Sequence, residues 1–232
     1  MKTQDFKRLY VWEGPVRWFH WLNALSILVL TITGFMIADP PAIMSGQEAS
    51  ARYFFGTVRF IHFAAAYVFV GVMILRIYWA FAGNSYAHWK AFLPFSKEAR
   101  KNIWHVLKHD ILLLPEKKGE DSPINVGHNA LAASAYVLMF LLALVMVFTG
   151  FGLFSDNAGW WLPKLFAWVP AFLGGDFMTR TLHHISMWLT WFIVFIHVYL
   201  VIFHDWSEGR GEVSAMVSGF KFLEKDGFKE EA

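Results

Sequence analysis

The sequence predicts an all-α fold, an integral membrane four-helix bundle with short interfacial helices, and three observations support that prediction. Hydrophobic residues make up 56% of the 232 residues and charged residues only 16%, whereas soluble domains average about 25% charged residues. Four apolar stretches are each long enough to cross a hydrocarbon core of about 30 Å. The Lys and Arg residues are distributed unequally between the loops. Residues 1–232 are therefore interpreted as a single membrane domain.

The four apolar stretches carry almost no charge. Only the second contains a charged side chain, Arg76, and the fourth contains three histidines. Because a helix rises about 1.5 Å per residue, each stretch is long enough to span the bilayer as a helix. The predicted transmembrane helices are residues 18–38, 60–82, 130–154 and 182–203.

The positions of Lys and Arg predict the orientation of the chain. Four precede the first span, seven lie between the second and third spans, and four follow the fourth span. The other two loops contain two each. Because cytoplasmic loops are enriched in Lys and Arg, both termini, the loop 83–129 and the tail 204–232 are predicted to be cytoplasmic. We expect a multi-pass protein of the plasma (inner) membrane, in contact with lipid.

The composition excludes several kinds of chemistry. The chain contains no cysteine, which excludes disulfides, thiolate zinc sites, cysteine-ligated iron–sulfur clusters, a cysteine nucleophile and covalent haem attachment through a C-x-x-C-H motif. The net charge of +2 gives no support for nucleic-acid binding. Ten histidines are therefore the principal candidates for metal ligands.

Four histidines lie at informative depths within the spans, where ionisable side chains are costly and are functional candidates by default. His20 lies near the cytoplasmic start of the first span, whereas His62 and His183 lie near the outer starts of the second and fourth. From His183 to His197 the distance is about 21 Å along a helix and about 40° around it. Both therefore lie on one helix face.

Depth groups these residues into two predicted pairs, His62 with His183 in the outer half and His20 with His197 in the inner half. A b-type haem takes two axial imidazoles from neighbouring helices, so the pairs predict two haems b, one above the other. The alternative for any single membrane histidine is an interhelical hydrogen bond. Zinc is a weaker alternative, because no carboxylate or cysteine completes a tetrahedral site at either depth. A haem-free membrane anchor or transport protein is the competing functional class.

Arginines and one glycine accompany these histidines. Arg76 follows His62 at the spacing that separates His183 from His197, and it is interpreted either as the partner of an inner-haem propionate or as a residue that reaches the headgroups. Gly34 follows His20 at the same spacing and either admits a porphyrin at the outer level or packs against a neighbouring helix. Three further arginines each precede a histidine by one helical turn, on the same helix face. Each is interpreted either as the partner of a haem propionate or as a residue that reaches the membrane interface. They are Arg17, Arg59 and Arg180.

Polar residues near the cytoplasmic ends of the third and fourth spans are candidates for quinone binding and proton delivery. His128 and Asn129 end the middle loop, and Tyr199 and Asp205 lie at the same depth. For Asn129 the alternative is a helix N-cap. Residues 160–173, rich in Trp, Pro and Leu, are interpreted as an interfacial aromatic anchor or as a docking surface for an extramembrane partner.

These motifs carry a resemblance to a known family. Residues 17–34 begin Arg-Trp-Phe-His-Trp and end Thr-Gly, and residues 180–197 begin Arg-Thr-Leu-His-His and end in histidine. Residues 76–84 and the Gly-His-Asn of residues 127–129 add to the match. With these motifs, nearly the whole chain resembles the b-type cytochrome subunit of membrane-bound nickel–iron (uptake) hydrogenases.

The resemblance implies four transmembrane helices, two haems b and a multimeric respiratory-chain complex, with the hydrogenase small and large subunits on the outer (periplasmic) face. Electrons would pass from iron–sulfur clusters of the small subunit through both haems to quinone near the cytoplasmic side. The resemblance implies the ligand pairs His62–His183 (outer haem) and His20–His197 (inner haem). The chain would be the quinone-reducing, electron-transfer part of a hydrogen:quinone oxidoreductase. The alternative is an equivalent subunit of another membrane dehydrogenase, for formate or a sulfur compound.

Overall fold

The structure is a computed structural model that describes residues 6–41, 53–92, 103–104, 108, 130–209 and 211–224. In chain order, its helices are α1 (Gly14–Ala38), α2 (Phe54–Ala82), α3 (Ala130–Phe154), α4 (Trp161–Lys164), α5 (Trp168–Leu173), α6 (Asp176–Glu208) and α7 (Glu212–Ser218). Four of them, α1, α2, α3 and α6, are long and apolar enough to cross a membrane. The predicted all-α membrane fold is confirmed.

Three of the four long helices extend beyond the apolar stretches. Helices α1, α2 and α6 begin at least one turn before the predicted spans, and α6 continues past residue 203 to Glu208. The α6 helix ends at Gly209, whose φ of 63° is the left-handed conformation typical of a helix C-cap.

Large apolar side chains are exposed along the spans. In α6 they include Leu189, Phe192, Phe195 and Ile202. A water-soluble protein would bury such a row, whereas lipid accepts it without cost. The exposed apolar surface therefore agrees with a helix whose outer face contacts lipid.

The chain divides into two compact units, which are described separately. The first is Gly14–Phe81 and contains α1 and nearly all of α2. Thr33 of α1 contacts His62 of α2, and the rings of Phe19 and Trp79 pack edge to face with centroids 6.5 Å apart. These two contacts show that α1 and α2 run antiparallel.

The second unit consists of Met1–Glu13 and Ala82–Ala232. Within it α3 and α6 pack against each other, and α4 and α5 fold onto α3. Phe166, between α4 and α5, packs against α3: its ring centroid lies 5.0 Å from that of Phe148 and 5.5 Å from that of Phe151. Val169 lies within reach of Gly152, where a Cβ would come 3.1 Å from the Val169 Cβ. The short helices are thus fixed to the end of α3.

The two ends of the described chain pair as a small antiparallel sheet. Strand β1 (Phe6–Tyr10) aligns with strand β2 (Phe220–Glu224), so that Tyr10 lies opposite Phe220. In the described part of the tail 204–232, the end of α6 is followed by the short helix α7 and then by β2. Residues 225–232 of that tail lie outside the described residues.

Polar contacts join this sheet to its surroundings in the second unit. Lys221 of β2 is 2% exposed and forms an ion pair with Glu212 of α7 at 2.7 Å. Asn84, which follows α2, donates from its side-chain amide to the Val11 carbonyl and from its backbone N–H to the Glu13 carboxylate, both over 2.9 Å. These contacts tie the segment around Asn84 to the N-terminal segment, and β2 to α7.

Candidate functional site

His62 of α2 lies against a threonine and a glycine of α1. The Thr33 Oγ1 is 2.9 Å from the His62 Nδ1, and Thr33 itself is buried. Gly34 places no side chain in this space, and a Cβ there would lie 3.5 Å from the His62 Cε1. The His62 ring therefore rests on the backbone of α1, with one nitrogen hydrogen-bonded.

His183 of α6 has the same surroundings in the second unit. The Thr149 Oγ1 is 2.8 Å from the His183 Nδ1, and Thr149 is 2% exposed. At Gly150 a Cβ would come within 3.2 Å of the His183 Cε1, closer than ordinary van der Waals contact. The His183 ring is thus held on α3 by the same two residue types that hold His62 on α1.

The correspondence between the surroundings of His62 and His183 has a counterpart in the sequence. The tripeptide Thr-Gly-Phe occurs at residues 33–35 and again at residues 149–151. Sequence reasoning missed Thr33, Thr149 and Gly150 as site residues and considered Gly34 only as a neighbour of a porphyrin or of a helix. The repeated tripeptide was the available signal. The structure shows that each copy contacts a histidine on the next long helix of its unit.

The donor chemistry of His62 and His183 fits an imidazole-ligated metal. Histidines that ligate metals almost always hold their second ring nitrogen in a hydrogen bond, which fixes the ring orientation. Here Nδ1 makes that hydrogen bond in both residues, so Nε2 is the nitrogen through which iron would be bound. This arrangement suits a haem with two axial imidazoles.

At the opposite end of the first unit, Arg76 and His20 lie at the same level along the helix axes. The contact of Thr33 with His62 fixes the register of the antiparallel pair. From this contact, His20 lies back along α1 and Arg76 lies onward along α2, both about 20 Å away. Arg76 is only 8% exposed, whereas Arg59 at the other end of α2 is exposed. Arg17 is half-buried one turn before His20.

In the second unit, His183 and His197 lie on one helix, α6, as their spacing predicted. His197 and Arg180 are exposed, and Arg180 lies one turn before His183. Each unit therefore has one threonine-bound imidazole and a second imidazole about 20 Å along the helix axis. The pairs His62–His183 and His20–His197 each take one residue from each unit and stay predictions.

The structure describes only some of the candidate quinone residues. Tyr199 is 45% exposed and stacks on Phe203, with ring centroids 5.9 Å apart. Asp205 lies in the last turns of α6, where its carbonyl accepts the Gly209 N–H. The Asp205 Oδ1 is buried and accepts no hydrogen bond from the described residues. His128 and Asn129 lie outside the described residues.

The segment predicted to be interfacial forms two short helices with exposed aromatic side chains. Pro163 and Val169 are buried, whereas the exposed side chains include three tryptophans and a phenylalanine. They are Trp160, Trp161, Trp168 and Phe172. Both interpretations of residues 160–173, membrane anchor and docking surface, are compatible with this arrangement.

Comparison with known proteins identifies similar chains over nearly the full length. The family model described as prokaryotic cytochrome b561 matches residues 11–219, a range that contains all the candidate site residues. A protein of Cupriavidus necator is 39% identical over 222 residues, which cover 94% of this chain and 88% of that protein. It is named "Probable Ni/Fe-hydrogenase B-type cytochrome subunit".

Two further relatives have closely similar names. A protein of Azotobacter vinelandii with the same name is 37% identical over 97% of this chain and 93% of its own length. A protein of Escherichia coli, strain K12, named "Probable Ni/Fe-hydrogenase 1 B-type cytochrome subunit", is 35% identical over 95% of this chain and 93% of its own length.

Proposed function

The chain belongs to the prokaryotic cytochrome b561 family, and on that basis we propose that it is the di-haem, electron-transfer subunit and membrane anchor of a nickel–iron hydrogenase. The observation that carries the proposal is that His62 and His183 make matching contacts. Two histidines on different helices have the same contacts, Thr Oγ1 at Nδ1 and a glycine beside the ring. Two equivalent imidazoles are the ligands that one haem b requires.

A second haem is proposed at the level of His20 and His197. In each unit this histidine lies about 20 Å from the threonine-bound one, measured along the helices. Arg76 is buried at the same level. A haem propionate is a negative group with which its guanidinium can form charge-assisted hydrogen bonds.

Haem iron, when bound, supplies a carrier that accepts and donates one electron at a time. The residues of this chain would determine where that carrier lies: the histidines would bind it, the glycines would admit it and the arginines would compensate its propionates. Arg59 and Arg180 are exposed next to the His62 and His183 level, where a propionate or a lipid headgroup can pair with them.

The proposed direction of electron flow follows the Lys and Arg distribution. His62 and His183 then lie toward the outer face, where the hydrogenase small and large subunits are proposed to bind. Oxidation of one hydrogen molecule on those subunits releases two protons and two electrons. The two haems would carry these electrons one at a time to the inner level, where one quinone would take up both with two protons and become a quinol.

The quinone-reducing end is proposed to lie near the end of α6. Asp205 has a buried carboxylate oxygen in that helix, and such a group can accept a proton and pass it on. Tyr199 presents an exposed phenol one turn from Phe203, suited to hydrogen-bonding a quinone carbonyl. His128 and Asn129 are proposed to act on the same quinone.

The proposal is tested by haem analysis of the complex purified from membranes. We expect a reducible b-type absorption spectrum and two haems per chain. His183→Ala is expected to remove one haem and to stop hydrogen-dependent quinone reduction. His184→Ala, one residue further on, is the matched control and is expected to keep both haems. A complex without a b-type spectrum, or His183→Ala with both haems and full activity, would contradict the proposal.

A further inference from the structure

The hydroxyl groups of Thr33 and Thr149 each contact two backbone carbonyl oxygens and one imidazole nitrogen, and their geometry determines which group donates. The Thr33 Oγ1 is 2.6 Å from the Val29 carbonyl oxygen, and the Thr149 Oγ1 is 2.6 Å from the Val145 carbonyl oxygen. A carbonyl only accepts, so at this distance each hydroxyl must donate its proton to the carbonyl. A hydroxyl has one proton, and it is therefore not available to the histidine.

The same hydroxyl oxygens must then accept from the imidazoles. The Thr33–His62 and Thr149–His183 contacts measure 2.9 Å and 2.8 Å between Oγ1 and Nδ1, which is hydrogen-bond distance. With the hydroxyl proton already donated, the proton between these atoms belongs to Nδ1. When neutral, both rings are thereby fixed as the tautomer with a proton on Nδ1 and a lone pair on Nε2.

From this geometry we propose that Thr33 and Thr149 are a matched pair of positioning residues that set the tautomer of His62 and His183 and lower the midpoint potential of the haem those histidines bind. The inference rests on the proposed function, since it requires that both histidines ligate one haem. It adds two residues that touch neither the iron nor the quinone but act through the ligands.

The effect on potential follows from the direction of the hydrogen bonds. An Nδ1–H that donates to oxygen leaves more electron density on the ring and strengthens donation from Nε2 to the metal. Stronger donation stabilises ferric over ferrous iron, which lowers the midpoint potential. Both threonines are buried, so water cannot readily take the place of a lost hydroxyl.

Valine and serine substitutions separate this role from simple packing. Thr33→Val and Thr149→Val keep the side-chain shape and remove the acceptor, whereas Thr33→Ser and Thr149→Ser keep the hydroxyl. Thr31→Val is the matched control, because Thr31 donates to the Ile27 carbonyl over 2.8 Å in the same helix but lies about 200° around the helix from Thr33. Each variant is purified as the complete complex, and both haems are titrated optically against ambient potential.

We expect each valine variant to raise the ferrous-to-ferric ratio of one haem about tenfold at a fixed potential, equivalent to about 59 mV for one electron. Both single variants must shift the same haem, and the double variant must shift it further. The serine variants are expected to titrate like the unaltered protein, and Thr31→Val should leave both potentials unchanged. Loss of that one haem in the valine variants, with retention in the serine variants, would support the same role.

Other results would overturn the inference. Unchanged potentials in both valine variants, shifts of two different haems, or an equal shift in Thr31→Val would each do so. His62→Ala distinguishes this failure from failure of the proposed function. If His62→Ala removes one haem while the threonine variants change nothing, the ligand assignment stands and only the role of the threonines is wrong. If His62→Ala keeps two haems, the ligand assignment itself is wrong.

Discussion

Gly219 and Trp12 are in direct backbone contact. The Trp12 N–H donates to the Gly219 carbonyl over 3.1 Å, and the Val11 N–H donates to the same oxygen over 2.9 Å. Gly219 has a φ of 87°, and a Cβ there would lie 2.7 Å from the Trp12 carbonyl oxygen and 2.6 Å from the Tyr10 ring. The junction of α7 and β2 therefore requires a residue without a side chain.

Gly219→Ala is expected to open the β1–β2 pairing. A left-handed conformation costs an alanine about 1–2 kcal/mol, and the overlap with a backbone oxygen adds to that cost. Hydrogen–deuterium exchange of residues 6–12 and 220–224 should rise clearly. Gly159→Ala is the control, because nothing lies within 4 Å of a Cβ at that position. Unchanged protection of both strands in Gly219→Ala would refute the structural account of this junction.

Gly150→Ala is expected to disturb its haem more than Gly34→Ala does. A Cβ at Gly150 would come 3.2 Å from the His183 Cε1, which forces the ring to move, whereas the corresponding 3.5 Å at Gly34 is ordinary contact. Alanine normally favours a helix over glycine by about 1 kcal/mol, so a loss must arise from the ring contact. Haem content and midpoint potential measure it.

Gly71→Ala provides the control for both substitutions. Gly71 lies in α2, and nothing is within 4 Å of a Cβ built there, so both haems should be retained at unchanged potentials. The prediction is wrong if Gly34→Ala lowers haem content as much as Gly150→Ala, or if neither variant alters either haem.

Arg76→Gln is expected to lower the midpoint potential of the haem proposed at the His20 level, opposite in sign to the threonine variants. A nearby positive charge stabilises the reduced haem, so its removal should lower the ferrous-to-ferric ratio. A loss of about 1 kcal/mol corresponds to roughly a fivefold fall in that ratio. Arg76→Lys keeps the charge and should shift the potential less.

Arg59→Gln serves as the comparison for Arg76. Arg59 is exposed, and counterions weaken the effect of an exposed charge, so a smaller shift is expected. Optical redox titration of the purified complex measures all three variants. A rise in potential in Arg76→Gln, or no change, would show that its guanidinium does not act on a haem.

The four spans could be predicted from sequence because apolar length determines membrane crossing directly. Uninterrupted apolar stretches require no knowledge of partners, so α1, α2, α3 and α6 follow from composition alone. The sheet could not be predicted in this way. Strands β1 and β2 are short and lie near opposite ends of the chain, and nothing local in either strand specifies such distant pairing.

For the candidate site, the sequence predicts only the level of each residue along its helix. Depth along a helix is a local property, and it places His62 and Gly34 at one level without a structure. The side chain that hydrogen-bonds a histidine ring is determined by contacts between helices. The roles of Thr33 and Thr149 could therefore be recognised only in the structure. The orientation of the chain and the pairing of histidines across the two units stay predictions.

The hydroxyl protons that Thr33 and Thr149 donate to the Val29 and Val145 carbonyls have a consequence for how the protein is assembled. A histidine must present a lone pair to bind a metal, and a neutral ring can present it on either nitrogen. With Nδ1 donating to the threonine oxygen, a neutral His62 or His183 presents its lone pair on Nε2. Neither ring has to move a proton from one nitrogen to the other before it binds iron, so haem insertion at this level should not wait for tautomer exchange.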